Sequence, residues 1–164
     1  MSADKFHFFY GGPFSQWHPC KFVVNGVTYN CTEQYMMAQK ALIFGDTEVH
    51  THIMATSIPS KQKALGRKVK KFNVAQWNLV CQKIVYDGNY AKFTQNEDLK
   101  NFLLETGDKE IVEASHSDII WGIGIAENDP RRFNKSRWRG RNLLGETLVA
   151  VRNVLRKENE LPKV

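Results

Sequence analysis

The chain has no apolar run long enough to cross a bilayer, and its first residues, Met1-Ser2-Ala3-Asp4-Lys5, lack the apolar centre of a secretory signal. Both absences point to an intracellular protein without membrane partners, cytoplasmic with the nucleus also open. Cysteine is scarce. Cys20, Cys31 and Cys81 are odd in number and widely spaced, which argues against a disulfide framework, and no C-x-x-C pair offers zinc its usual ligands. The histidines His7, His18, His50, His52 and His116 are scattered; the His50/His52 spacing suits a strand face and splits across a helix, so no metal and no cofactor is expected. Repeats, low-complexity tracts and Pro/Gly/Ser linkers are also missing, so residues 1–164 read as one domain, long enough to bury its own core.

What is present is an ordinary globular composition, 42% hydrophobic and 24% charged, with a net charge of +6. The excess favours phosphate-bearing partners, although a solvated basic surface accounts for it equally well. The start of the chain reads as strands. Phe6 to Tyr10 is aromatic-rich and stops at Gly11-Gly12-Pro13, and Lys21–Val24 and Val27–Tyr29 flank Asn25-Gly26, a pair suited to the positive φ angles of a type I′ hairpin turn.

From Asn30 the period becomes helical. Asn30 followed three positions later by Glu33 resembles a capping box, and the apolar face from Tyr35 to Phe44 ends at Gly45. Further helices are predicted from Asp46-Thr47 to Ala55, from Ile58-Pro59 to Gly66-Arg67, from Asn73 through Gly88 to Phe93, from Asn96 to Gly107, and from Leu143 onward. Strands are predicted at Lys109–Ala114 and Ile119–Ile125, with an Arg-rich loop from Glu127 to Arg141. Helices outnumber strands and the two do not alternate, so the expected class is α+β, mainly helical with a small sheet.

Three clusters carry chemistry. Glu33 and Lys40 are seven apart and share one helix face two turns from each other. Met36 and Met37 lie near that line, and an ammonium beside apolar surface loses its proton more readily, as a nucleophilic lysine requires. On spacing alone a capped surface helix explains the pair better. Asp118 to Gly124 joins an aspartate, Trp121 and two glycines, which suits close approach to a sugar or base and equally a turn aspartate with a core tryptophan. Trp138 to Gly145 places Arg139, Arg141 and Asn142 at a helix start, where backbone N–H groups can hold phosphate; a capped, solvated loop has the same composition. Trp138 among Arg131, Arg132, Lys135 and Arg137 also suits nucleotide or nucleic-acid binding.

In order and spacing these segments resemble the NADAR (YbiA-like) family over nearly the whole chain. The resemblance rests on Phe9-Tyr10, Phe14-Ser15, Thr32 to Ala41, Gly66-Arg67, Trp77, Lys92-Phe93 to Leu99, Leu104 to Gly107, Val112 to Ser115, Asp118 to Gly124, Trp138 to Gly145 and Val151-Arg152. One departure is Gln16, where relatives commonly carry Asn. The resemblance implies an α+β fold and hydrolysis of N-glycosidic bonds. Its substrate classes are ribosylamino-pyrimidine intermediates of riboflavin synthesis and ADP-ribose attached to guanine, both with an exocyclic amine on the ribose C1. The residues expected on that chemistry are Lys40 as nucleophile, Glu33 and Asp118 handling protons or ribose hydroxyls, and Phe9, Tyr10, Ser15, Trp77, Trp121, Gly122 and Trp138 against sugar or base; in a direct alternative Glu33 or Asp118 activates water and Lys40 is only electrostatic. Arg67, Arg141, Asn142 and Gly145 would sit at the phosphates. Of the two substrates, the net charge and the Arg-rich loop favour ADP-ribosylated guanine in a nucleotide or nucleic acid. A non-catalytic ADP-ribose-binding module would be indifferent to Lys40.

Overall fold

Along the chain the elements run β1 (Phe6–Phe9), β2 (Phe22–Val24), β3 (Val27–Tyr29), α1 (Thr32–Ile43), α2 (Thr47–Met54), α3 (Pro59–Gly66), α4 (Val74–Thr94), α5 (Glu97–Leu104), β4 (Glu110–Glu113) and α6 (Leu143–Glu160), in a computed structural model that describes residues 5–160. The class is α+β and mainly helical. Two compact units are formed, one by Met1–Ser15 with Glu97–Val164 and the other by Gln16–Asn96.

In the first unit β1 and β4 pair in parallel, from Phe6 opposite Glu110 to Phe9 opposite Glu113. Phe6, Val112, Ala114, Ile123 and Ile125 form its core with Phe8 and Trp138 packed against them, and α6 packs on β4 and α5. The strand expected over Ile119–Ile125 is instead a bent segment. The Asp118 carboxylate turns the chain by accepting the backbone N–H groups of Ile120 (3.0 Å) and Trp121 (2.8 Å), and Gly124 then adopts a φ of 68°. Alternating isoleucines look like a strand in sequence, yet this backbone is bent twice within seven residues.

The second unit is built around α1, which packs against α2, α3 and α4. Ala38 and Ala41 are fully buried, and Tyr35, Met36 and Met37 fill the space beside them. The hairpin β2–β3 turns at Asn25 and Gly26 with φ of 51° and 79°, as a type I′ turn demands. Asp46 caps α2 through Oδ1, which accepts from the Val49 N–H at 3.1 Å, and Asn73 caps α4 through the Gln76 N–H at 2.9 Å.

The cap of α1 differs from the expected box by one residue. Cys31, not Asn30, is the N-cap and accepts from the Gln34 N–H (3.4 Å), while Gln34 Oε1 reaches back to the Asn30 N–H (2.8 Å). A box-like pair of bonds is therefore formed, with Gln34 in the role expected of Glu33 but reaching one residue past the N-cap. That shift matters for the site, because the helix end is closed without the Glu33 side chain.

One core residue of this unit is a charge. Lys92 on α4 is 0% exposed, with Nζ 5.0 Å from the Phe93 ring centroid. Burial pulls its pKa down from 10.5 to about 8, with the Cys20 and Cys31 thiols opposing. Between those two values the unfolded chain binds more protons than the folded one, so stability rises with pH there. Relative to Lys92→Met, the native chain is expected to gain about 1.4 kcal/mol on going from roughly pH 7 to pH 9, read from urea unfolding at each pH. Parallel curves for the two proteins would contradict this account of Lys92.

Candidate active site

Four of the residues expected at the site, Glu33, Lys40, Arg67 and Trp77, lie in the second unit. Lys40 sits in the last turn of α1, half-buried, with Nζ 4.4 Å from the centroid of the Phe72 ring and 5.8 Å from that of Trp77. Burial lowers its pKa; the Glu33 carboxylate opposes that, and the Arg67 charge adds to it. The two rings attract the ammonium form, while burial disfavours it and makes the neutral amine more accessible than on an exposed lysine.

Phe72 is the residue that sequence reasoning missed. It precedes the α4 cap Asn73, and Trp77 follows at the fourth helical position, so the two occupy the places of a hydrophobic staple. That pattern was legible before Asn73. Phe72 is 43% exposed and meets Phe44 edge-on, with ring centroids 5.3 Å apart. Nearly half its surface is therefore open beside the amine.

Glu33 is only 7% exposed, and its backbone is clamped from the chain before it. The carbonyl of Gln16 accepts from the Glu33 N–H (2.9 Å) and from the Thr32 hydroxyl (3.2 Å), and Gln16 Oε1 accepts from Asn89 Nδ2 at 3.0 Å. Gln16 thus helps hold the start of α1.

The other expected residues lie in the first unit. Phe9 is buried against Phe14 (ring centroids 5.7 Å apart), Tyr10 is 69% exposed, and the Ser15 N–H closes a turn onto the Gly12 carbonyl (2.9 Å). Asp118 is engaged by the two amides already described. The carbonyls of the bent segment then serve the next one: those of Ile119, Ile120, Trp121 and Gly122 accept from the N–H groups of Arg141, Leu143, Leu144 and Asn142 at 2.9–3.2 Å.

This pairing engages the backbone at the start of α6, where a phosphate role was expected. The N–H groups of Asn142, Leu143 and Leu144 are bonded to loop carbonyls. Asn142 adopts a φ of 53° and spends its amide on β4, accepting from the Glu113 N–H (3.0 Å) and donating to the Ile111 carbonyl (3.0 Å). A Cβ on Gly145 would lie 1.9 Å from the Ile111 carbonyl oxygen, and one on Gly122 would lie 2.9 Å from that of Glu113. Asn142, Gly145 and Gly122 thus hold two backbones together. Asn142→Ala is expected to destabilise the fold by about 2–4 kcal/mol, from two lost hydrogen bonds and a left-handed backbone without Asn's local compensation. Thermal unfolding checks this, and an unchanged midpoint would refute it.

Trp138 also packs. Its indole N–H donates to the Arg132 carbonyl (2.8 Å), and its ring lies 5.7 Å from Phe6. In the Arg-rich loop Arg131 is bonded to Asp129 (2.6 Å), whose carboxyl it holds down to about 2, Arg132 lies over Phe133, and Lys135 pairs with Glu110 (2.6 Å). Arg137, Arg139 and Arg141 are exposed. Among the described residues no helix is long and apolar enough to cross a membrane, and no group of three His, Cys, Asp or Glu is placed to hold a metal ion.

A mimivirus protein named N-glycosidase R617, from Acanthamoeba polyphaga mimivirus, is 46% identical over 93% of the chain and 97% of its own length. A Vibrio vulnificus riboflavin biosynthesis protein is 29% identical over 89% of the chain and 36% of its own length. The NMR structure of Escherichia coli YbiA superposes with a TM-score of 0.80 at 28% identity, covering 98% of the chain and 90% of YbiA. Residues 8–156 match the NADAR domain, and the chain therefore belongs to the NADAR family.

Proposed function

We propose that the chain is an N-glycoside hydrolase that removes ADP-ribose from guanine, with Lys40 as nucleophile and Glu33 as its proton-handling partner. The N-glycosidase activity draws support from family membership and from the mimivirus relative's name. The observation that carries the residue assignment is the position of Lys40: half-buried, its amine over two aromatic rings, its pKa lowered by burial.

The chemistry follows from the substrate. When ribose C1 carries an exocyclic N–H, the sugar ring opens to an imine at C1, with the ring oxygen taking a proton. The neutral Lys40 amine adds to C1; the base nitrogen takes a proton and leaves with its bonding pair, and a lysine Schiff base remains. Water adds to that imine, Lys40 leaves as the amine, and the sugar is released. Glu33 gives and takes these protons, and its burial keeps it out of bulk exchange. Arg67, whose charge acts on Lys40, takes the substrate phosphate.

The Vibrio relative favours a second reading, in which the substrate is a ribosylamino-pyrimidine phosphate. Incubating the enzyme separately with ADP-ribosylated guanosine in DNA and with that pyrimidine, and following free base, tests the choice. Release from the guanine substrate is expected. Release from the pyrimidine alone would overturn the preference, and release from neither would leave a binding module.

A further inference from the structure

The charge of the chain is divided unevenly. The unit Gln16–Asn96 holds ten Lys and Arg against four Asp and Glu, whereas the other unit holds thirteen of each, so the whole net charge of +6 belongs to the unit that carries Lys40. Within it six of the ten basic residues, Lys61, Lys63, Arg67, Lys68, Lys70 and Lys71, fall in eleven consecutive positions without one acidic residue. All six are exposed, and none takes part in an ion pair among the described residues. In the Arg-rich loop of the other unit, Arg131 and Lys135 pair with acidic partners while Arg137, Arg139 and Arg141 are exposed, and acidic residues elsewhere in that unit bring its net charge to zero.

This segment is held firmly. Asp46, while capping α2 with one oxygen, accepts the Lys70 N–H with the other at 2.9 Å, so the turn between α3 and α4 is tied to α2. The turn leads directly into Phe72, whose ring lies under the Lys40 amine. A run of exposed positive charge, in which Lys70 acts on the Asp46 carboxylate and none forms an ion pair among the described residues, thus leads to a half-exposed aromatic ring beside Lys40. Phosphates answer the charges, and an unstacked base answers the ring.

We propose that the 61–71 segment is a docking surface for the sugar–phosphate backbone of a single-stranded nucleic acid, which leads the modified base to Lys40. The proposal rests on the reading that Lys40 acts on an N-glycosylated base, and it specifies a polymer as the carrier of that base. A single strand is favoured because a base inside a duplex would first have to be unstacked and unpaired. Anionic lipid is the competing polyanion; it would have no use for a reactive amine beyond the charged run.

The test is anisotropy of a labelled, unmodified single-stranded oligonucleotide of about 12 nucleotides, between roughly 50 and 200 mM salt. The native chain should bind with affinity that falls as salt rises. The variant Lys61→Gln/Lys63→Gln/Lys68→Gln/Lys70→Gln should bind about tenfold more weakly or worse, with a salt slope shallower by roughly 0.7 for each phosphate no longer neutralised. The matching fourfold Lys→Arg variant should keep both properties. Equal binding by the Gln variant would overturn the proposal, as would binding to phosphatidylserine vesicles without binding to the oligonucleotide. A second arm compares kcat/KM on a modified oligonucleotide with that on the modified mononucleotide; the Gln variant should lose the first and keep the second, and equal loss on both would overturn the proposal. Because the binding arm uses unmodified strand, its outcome stays meaningful even if the proposed chemistry at Lys40 fails.

Discussion

Replacing Lys40 by alanine is expected to lower turnover by about a thousandfold or more while the fold persists. The size follows from removing the atom that forms the bond to C1, since the ring-opened imine then has only water to attack it. The fold persists because Lys40 is half-buried and lies at the end of α1, beyond the buried stretch from Thr32 to Ala38. Steady-state release of base, with circular dichroism as the control, is the measurement. The native enzyme should also show a rate that climbs with pH to an inflection below the 10.5 of an ordinary lysine, because burial lowers this pKa. A Lys40→Ala enzyme within a few fold of native would remove Lys40 from the reaction.

Glu33→Gln should lower kcat by about a hundredfold to a thousandfold and leave stability almost unchanged. Stability is spared because glutamine nearly matches glutamate in shape, because Cys31 and Gln34 cap α1, and because the main-chain bond to the Gln16 carbonyl survives the change. A second consequence distinguishes a proton-handling role from a packing one. The Glu33 charge raises the Lys40 pKa, so its removal should move the inflection of the residual rate to lower pH. An unmoved inflection would mean the two groups do not act on each other. Gln34→Ala is the informative contrast, since it removes a cap and a bond to the Ile53 carbonyl (3.2 Å) and should cost stability rather than chemistry.

Most helices were legible because their ends are written in short-range chemistry: Asp46 and Asn73 as caps, Pro59 at a first turn, Asn25-Gly26 in the hairpin. The Ile119–Ile125 segment was not, because its bend depends on one carboxylate taking two amides and its carbonyls are needed by residues about twenty positions later. The α1 cap was misplaced by one residue for a related reason. A cysteine is a poor N-cap by type, and its use here depends on the Gln34 side chain closing the box from the other side.

The candidate site was half legible. Glu33 and Lys40 stood out by spacing and resemblance, but the feature that distinguishes Lys40 from a surface lysine, the Phe72 and Trp77 rings beside it, comes from another part of the chain and needed the fold. The basic loop misled, since composition counts Arg131 and Lys135 as available and the structure pairs them with Asp129 and Glu110. At Asn142 and Gly145 the sequence does not separate a ligand role from tight backbone packing, because both ask for the same small or amide-bearing residues at a helix start.

The central claim is that Lys40 bonds to the sugar. Borohydride added during turnover of ADP-ribosylated guanosine reduces a Schiff base to a stable amine, and peptide mass spectrometry locates it. The expected result is a sugar adduct on Lys40 that is absent from Lys40→Ala. Sustained turnover with no adduct on Lys40, or an adduct on a different lysine, would contradict it.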